Sequence, residues 1–211
     1  MYTQPSRCTA KVPLLKILFF FPLCAIYILS CTSVEKKDTQ EDILFVYLTD
    51  SSKFVLLPTE GIEQTMDMVQ SVSAVFRGKD EFFNVLVMAD KNAIEMIFLN
   101  ELGASVGELS YREGAVHFSS TVIPNAVIKS FRMEYVIADY QLCFYNPFLL
   151  GQSLKDCGLV LETIDGNRRI LSGNEVIIEI NKTDSAVELV NHQWGYNYIL
   201  EGDFNNVLGT W

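Results

Sequence analysis

From Ile43 onward the hydrophobic pattern of the chain has a period of two. In 64–78, "QTMDMVQSVSAVFRG", Met66, Met68, Val72, Ala74 and Phe76 share one face, interrupted only by Gln70, and Asp67, Ser71, Ser73 and Arg77 fall mostly on the other. Alternation of that kind predicts a strand with one dry face. Short β-rich runs precede it at Ile43–Leu48 and Phe54–Leu57. Behind it come Phe82–Ala89, apolar on both faces, then Ala93–Leu99, a run near Val106–Tyr111, and "AVHFSS". "GKD", "DKN", "NELG" and "REG" separate these runs and carry turn chemistry, so a meander of antiparallel strands is expected.

The period then changes. Ile128, Phe131, Tyr135, Ala138 and Leu142 recur at steps of three or four, with Lys129, Arg132 and Glu134 off the stripe. This predicts an amphipathic helix, started by Pro124-Asn125 and limited by Pro147. A second short helix is expected over Phe148–Cys157, stopped by Gly158. Strands resume at Leu159–Ile164, Arg168–Leu171, Val176–Ile180 and Ala186–Val190, and end in "WGYNYILEG", where Trp194, Tyr196, Tyr198 and Leu200 alternate. So many strands are expected to curl or close to protect their edges. The expected fold class is mainly β with a helical insert (α+β): a curled antiparallel sheet or incomplete β-barrel, its helices lidding the concave face.

The first thirty residues do not follow that pattern. Arg7, Lys11 and Lys16 precede an apolar stretch, Ile17–Leu29, and no acid appears before Glu35. About 13 residues is short of the roughly 20 a spanning helix needs. The arrangement reads as a secretory signal peptide over 1–30. Of the two cysteines at its end, Cys24 follows Phe21-Pro22-Leu23. Cys31 follows Ile28-Leu29-Ser30, which resembles a bacterial lipobox. Cys31 is therefore the expected lipidation site and mature N-terminus; an uncleaved anchor or an ordinary cleaved signal is the alternative. Residues 31–42 are polar enough to be a tether, leaving 43–211 as one domain.

Charge narrows the partners. The whole chain carries a net charge of −10, and removing three cations with residues 1–30 leaves about −13. Nucleic acid is excluded as a natural partner, because phosphate contacts need a basic surface. Anionic headgroups would repel the body as well, so membrane attachment falls to the lipid on Cys31. Cys143 and Cys157 could pair after export, or remain separate buried thiols.

Candidate chemistry is sparse. Gly103-Ala104-Ser105-Val106-Gly107 matches G-x-S-x-G, and Asp139, Asp156, Asp165 and His192 follow in hydrolase order. An elbow needs a strand before the serine and a helix after it. Here strand-like sequence follows, so turn chemistry is the better explanation and no catalytic residue is expected, an envelope serine hydrolase through Ser105 being the lesser alternative. His117 and His192 are the only histidines, too few for a metal site, and no cofactor motif is present. Asn181-Lys182-Thr183 reads as a polar turn.

The apolar excess is the remaining signal, with 14 Phe and 9 Tyr. A dry concave face rich in flexible Met side chains could hold an acyl chain or another hydrophobic molecule. Its expected sheet lining is Met66, Met68, Val72, Phe76, Met96 and Phe98. The helix would add Ile128, Phe131 and Tyr135, and the last strand Trp194, Tyr196 and Tyr198. A filled barrel acting as a structural or adaptor lipoprotein is the alternative.

The lipobox, the meander, the central helix near "PNAVIKSFRMEYVIADYQLCFYNP", then "RRIL" and the closing "NHQWGYNYIL" resemble an uncharacterised group of bacterial lipoproteins. Some of that group accompany aryl-polyene lipid gene clusters, and the group is similar to the LolA/LolB lipoprotein carriers. The resemblance implies an incomplete antiparallel barrel with a lidded cavity and a role in handling lipid or lipoprotein acyl chains, with another envelope lipoprotein as a partner. It brings no catalytic residues. Thr32 after the modified cysteine implies, in enteric bacteria, an outer-membrane location facing the periplasm.

Overall fold

The computed structural model describes residues 43–76, 78–123 and 132–204, without the side chain of Phe76. Cys31, the signal segment and the tether lie outside them, as do Ile128 and Phe131. Ten strands form one antiparallel sheet. The first meander is β3 (Met66–Phe76), β4 (Lys79–Ala89), β5 (Ile94–Leu99), β6 (Ser105–Arg112) and β7 (Ala115–Ser120). The second is β8 (Val160–Ile164), β9 (Asn167–Ser172), β10 (Glu175–Lys182), β11 (Ala186–Asn191) and β12 (Tyr196–Glu201). They join where the first strand of one meets the last of the other, β3 against β12, with Val72 opposite Leu200 and Ala74 opposite Tyr198. Between the meanders run α1 (Glu134–Phe144) and α2 (Pro147–Asp156), and a separate hairpin, β1 (Phe45–Tyr47) with β2 (Lys53–Val55), precedes everything.

The expected curled sheet or incomplete barrel is not what forms. The ladder runs β7-β6-β5-β4-β3-β12-β11-β10-β9-β8 and stops at both ends, so β7 and β8 are edges and the sheet is open. The physical reason lies in what covers the apolar face. A barrel buries its inner face against itself, whereas here α1, α2 and the hairpin supply the cover, and closure is not needed. The barrel-like and LolB-like description is therefore replaced by a mixed α+β fold, one large sheet with two helices on it.

The alternation in β3 is expressed as expected: Met66, Gln70 and Val72 are buried, Asp67 and Ser73 exposed. Val85, Val87 and Ala89 of β4, Met96 of β5, Leu109 of β6 and Ile178, Ile180, Val187 and Leu189 of the second meander complete the covered face. Helix α1 departs from expectation. Ile137 through Cys143 are all buried, because the sheet packs on one side and the hairpin segment on the other. Gln141 ties it to that segment in both directions: Leu57 N donates to Oε1 at 2.8 Å, and Nε2 donates to Leu57 O at 2.7 Å.

Helix α2 follows its local signals. Asn146 caps it, accepting from Phe148 N at 2.7 Å, and Pro147 occupies its first turn, where a missing N–H costs nothing. Its end is a Schellman turn: Leu159 N donates to Leu154 O, Gly158 N to Lys155 O, and Gly158 takes φ +81°, a backbone angle suited to glycine.

Candidate functional site

Among the described residues three concave regions stand out, and they share some of the strands that line them. The largest, about 590 Å³, lies where Asp67, Asp90, Glu95, Arg112 and Glu113 gather among the turns. Much of its charge is already engaged. Asp90 accepts from Asn92 N at 2.7 Å and Ala93 N at 3.0 Å, bonds that hold its carboxyl below its ordinary value, and Arg112 pairs with Glu95 at 2.9 Å. This is a solvated groove between turns.

The second is a cleft between α1 and the covered face of β3, β4, β5 and β12. Val72, Met96, Phe98 and Tyr198, four of the expected lining residues, do meet there, together with Phe83, Tyr140, Phe144 and Asp139. Its volume, about 190 Å³, is below the roughly 300 Å³ at which pockets for drug-sized ligands begin, and too small for an acyl chain. Among the described residues a half-barrel cavity for an acyl chain or lipid is therefore absent, and the reading of this protein as a binder of lipid or lipoprotein acyl chains is overturned. Large side chains pack the core of the fold: Phe54, Tyr111, Tyr145 and Arg168 are among the fully buried ones.

The other expected lining residues scatter. Met66 and Met68 lie on the covered face but away from the cleft. Tyr135 accepts Tyr47 N on its hydroxyl at 3.3 Å. Trp194 is 41% exposed in the turn before β12, and its Nε1 donates to Tyr47 O at 3.1 Å. Tyr196 reaches under α1, where its hydroxyl hydrogen-bonds both Asp139 carboxylate oxygens at 2.9 Å. Ser105 is on β6, while His192 follows β11 and lies 3.4 Å from Glu179. Five strand steps separate β6 from β11, roughly 24 Å at about 4.8 Å per step. Cys143 and Cys157 are both free thiols. Among the described residues no group of three His, Cys, Asp or Glu side chains could hold a metal.

Sequence reasoning missed Asp139 and Arg168 as buried polar groups, and it allowed for Cys143 as a buried thiol. Burial pushes the Asp139 carboxyl up to about 7, against the opposing hydrogen bond from Tyr196. It pushes the Cys143 thiol up to about 12, so that the sulfur stays protonated beside the Tyr198 hydroxyl, 3.8 Å away. Arg168 is only 1% exposed. It donates to Leu142 O and Tyr145 O, each at 2.7 Å, and burial lowers it to about 9. An acid within an apolar helical run, and an arginine sharing the Ile170 face, are the signals that could have found them.

The third region is on the opposite, solvent face. Val69 pairs with Leu86, and Leu86 with Ile97, so three apolar side chains stand in one row across β3, β4 and β5. Met88 and Leu99 adjoin the row by alternation. Val69 is 55% exposed and Phe82, further along β4, 65%. Asp67, Glu95 and Glu108 border it, and a groove of about 300 Å³ beside it is lined by Met88, Ile97, Ser110 and His117. An open antiparallel sheet ordinarily turns polar residues to water, so an apolar row there is the informative feature.

No curated protein matches the chain. Residues 67–201, well over half of its length, match the family model described as "Protein of unknown function (DUF3261)", and the chain belongs to that family.

Proposed function

We propose that this is a lipid-anchored, non-catalytic protein of the bacterial cell envelope that docks another envelope protein on the solvent face of its sheet. The supporting observation is the Val69–Leu86–Ile97 row on the solvent face, with Val69 exposed and Leu86 and Ile97 half-buried, while the other face is packed beneath helices and hairpin. The acids around the row, in a domain of negative net charge, fit a partner with an apolar centre and a rim of Lys and Arg. The cation-rich leader, the lipobox-like "ILSC" and the polar tether support anchoring through Cys31 at the outer membrane. Kinship with the LolA/LolB carriers rests on the lipobox, the meander, the central helix, "RRIL" and the closing "NHQWGYNYIL"; the open sheet argues against it, and the function proposed is not that of a carrier.

The test is a photo-crosslinking residue placed at Leu86, or at Asn181 elsewhere on the same sheet, in cells producing the full chain. A discrete adduct is expected from position 86 and not from 181, and it should disappear in the Val69→Lys/Ile97→Lys variant and in Cys31→Ala. Equal adducts from both positions, or none from 86, would overturn the proposal.

A further inference from the structure

We propose that the cleft under α1 binds a compact organic cation, an ammonium or quaternary ammonium group, against the Asp139 carboxylate. This site is independent of the docking face. Five aromatic side chains, Phe83, Phe98, Tyr140, Phe144 and Tyr198, stand in its wall among aliphatic ones. Rings attract cations through their quadrupoles, most strongly where water is excluded, whereas a neutral ligand gains only its apolar contact.

The carboxylate supplies the second requirement. An ionised carboxylate offers about four acceptor positions. The hydrogen bonds given to Asp139 come from one hydroxyl, that of Tyr196, shared between its two oxygens. No Lys, Arg or His is among the described residues lining the cleft. A buried carboxyl in this position is either kept neutral by a proton or met by a cation from outside. The size agrees with the second possibility: about 190 Å³ is some six water volumes at about 30 Å³ each, enough for a tetrahedral ammonium head and too little for a hydrocarbon tail.

Full-length protein in maltoside detergent would be titrated with choline and with 3,3-dimethylbutanol, which has the same shape and no charge. Choline is expected to bind at least about tenfold more tightly, and more tightly at pH 8 than at pH 6, because a proton competes for the carboxylate. Asp139→Asn should abolish the preference. Phe144→Leu, which removes a ring and no charge, should weaken choline binding selectively and serves as the second variant if Asp139→Asn fails to fold. Glycerophosphocholine identifies the source: affinity equal to that of choline assigns a lipid-derived headgroup, and exclusion assigns a free cation. No choline binding, or equal binding of the uncharged analogue, would overturn the proposal.

Discussion

Replacing Arg168 with methionine is expected to destabilise the protein by about 3 kcal/mol or more, the largest loss from any single polar side chain here. Methionine keeps much of the apolar stem and removes the guanidinium. The Leu142 and Tyr145 carbonyls, each now 2.7 Å from a guanidinium nitrogen, would be left buried without these donors. An abandoned buried acceptor costs about 1–3 kcal/mol. The charge is lost as well, and its position at the C-terminal end of α1 is where the helix dipole favours a cation. Lysine should fall between the two, since one ammonium cannot reproduce the planar fork. Urea unfolding of the three proteins measures this. A methionine variant within about 0.5 kcal/mol of the parent would mean that the two carbonyls find other donors.

The second expected result concerns pH. Asp139 ionises near its ordinary 3.8 when unfolded and near about 7 when folded. Between those values the folded state holds the extra proton, so stability falls as pH rises through the window. At about 1.4 kcal/mol per unit, the loss is of the order of 4 kcal/mol between pH 4 and pH 8. Cys143, Tyr196 and Tyr198 neighbour the carboxyl, and burial raises all three, so none of them titrates in that window. Asn keeps an acceptor for Tyr196 and cannot ionise. The difference in unfolding free energy between parent and Asp139→Asn should therefore be small at pH 4 and favour the variant at pH 8. A difference independent of pH would show that Asp139 does not titrate there.

Much of the fold was legible because its signals are local. Alternation in 66–76 marked the dry face of β3, and the second helix, expected over Phe148–Cys157 with Gly158 as its stop, matches α2 to within a residue. Closure was not legible. Period two says which face of a strand is dry and says nothing of what covers it. The cover depends on Gln141 meeting Leu57, 84 residues away in the chain. Trp194 looked like a member of the last strand because it alternates with Tyr196, but Gly195, with φ +67°, turns the chain between them. Arg168 and Arg169 are adjacent and chemically identical; only the covered face distinguishes them, and the Arg168 partners are backbone carbonyls that no side-chain pattern marks. The Val69–Leu86–Ile97 row becomes visible only when the register of three strands is known.

The central claim is that this sheet has one sealed face and one working face, and neighbouring strands allow a direct comparison. Val87 of β4 is 2% exposed on the covered face and Val69 of β3 is 55% exposed on the other. Lysine would be introduced at each in turn and unfolding free energies measured. The account predicts a change within about 0.5 kcal/mol at Val69 and a loss of several kcal/mol at Val87, where a charge must be buried. Comparable large losses at both positions would contradict it, because the face assigned to a partner would then already be covered by the protein itself.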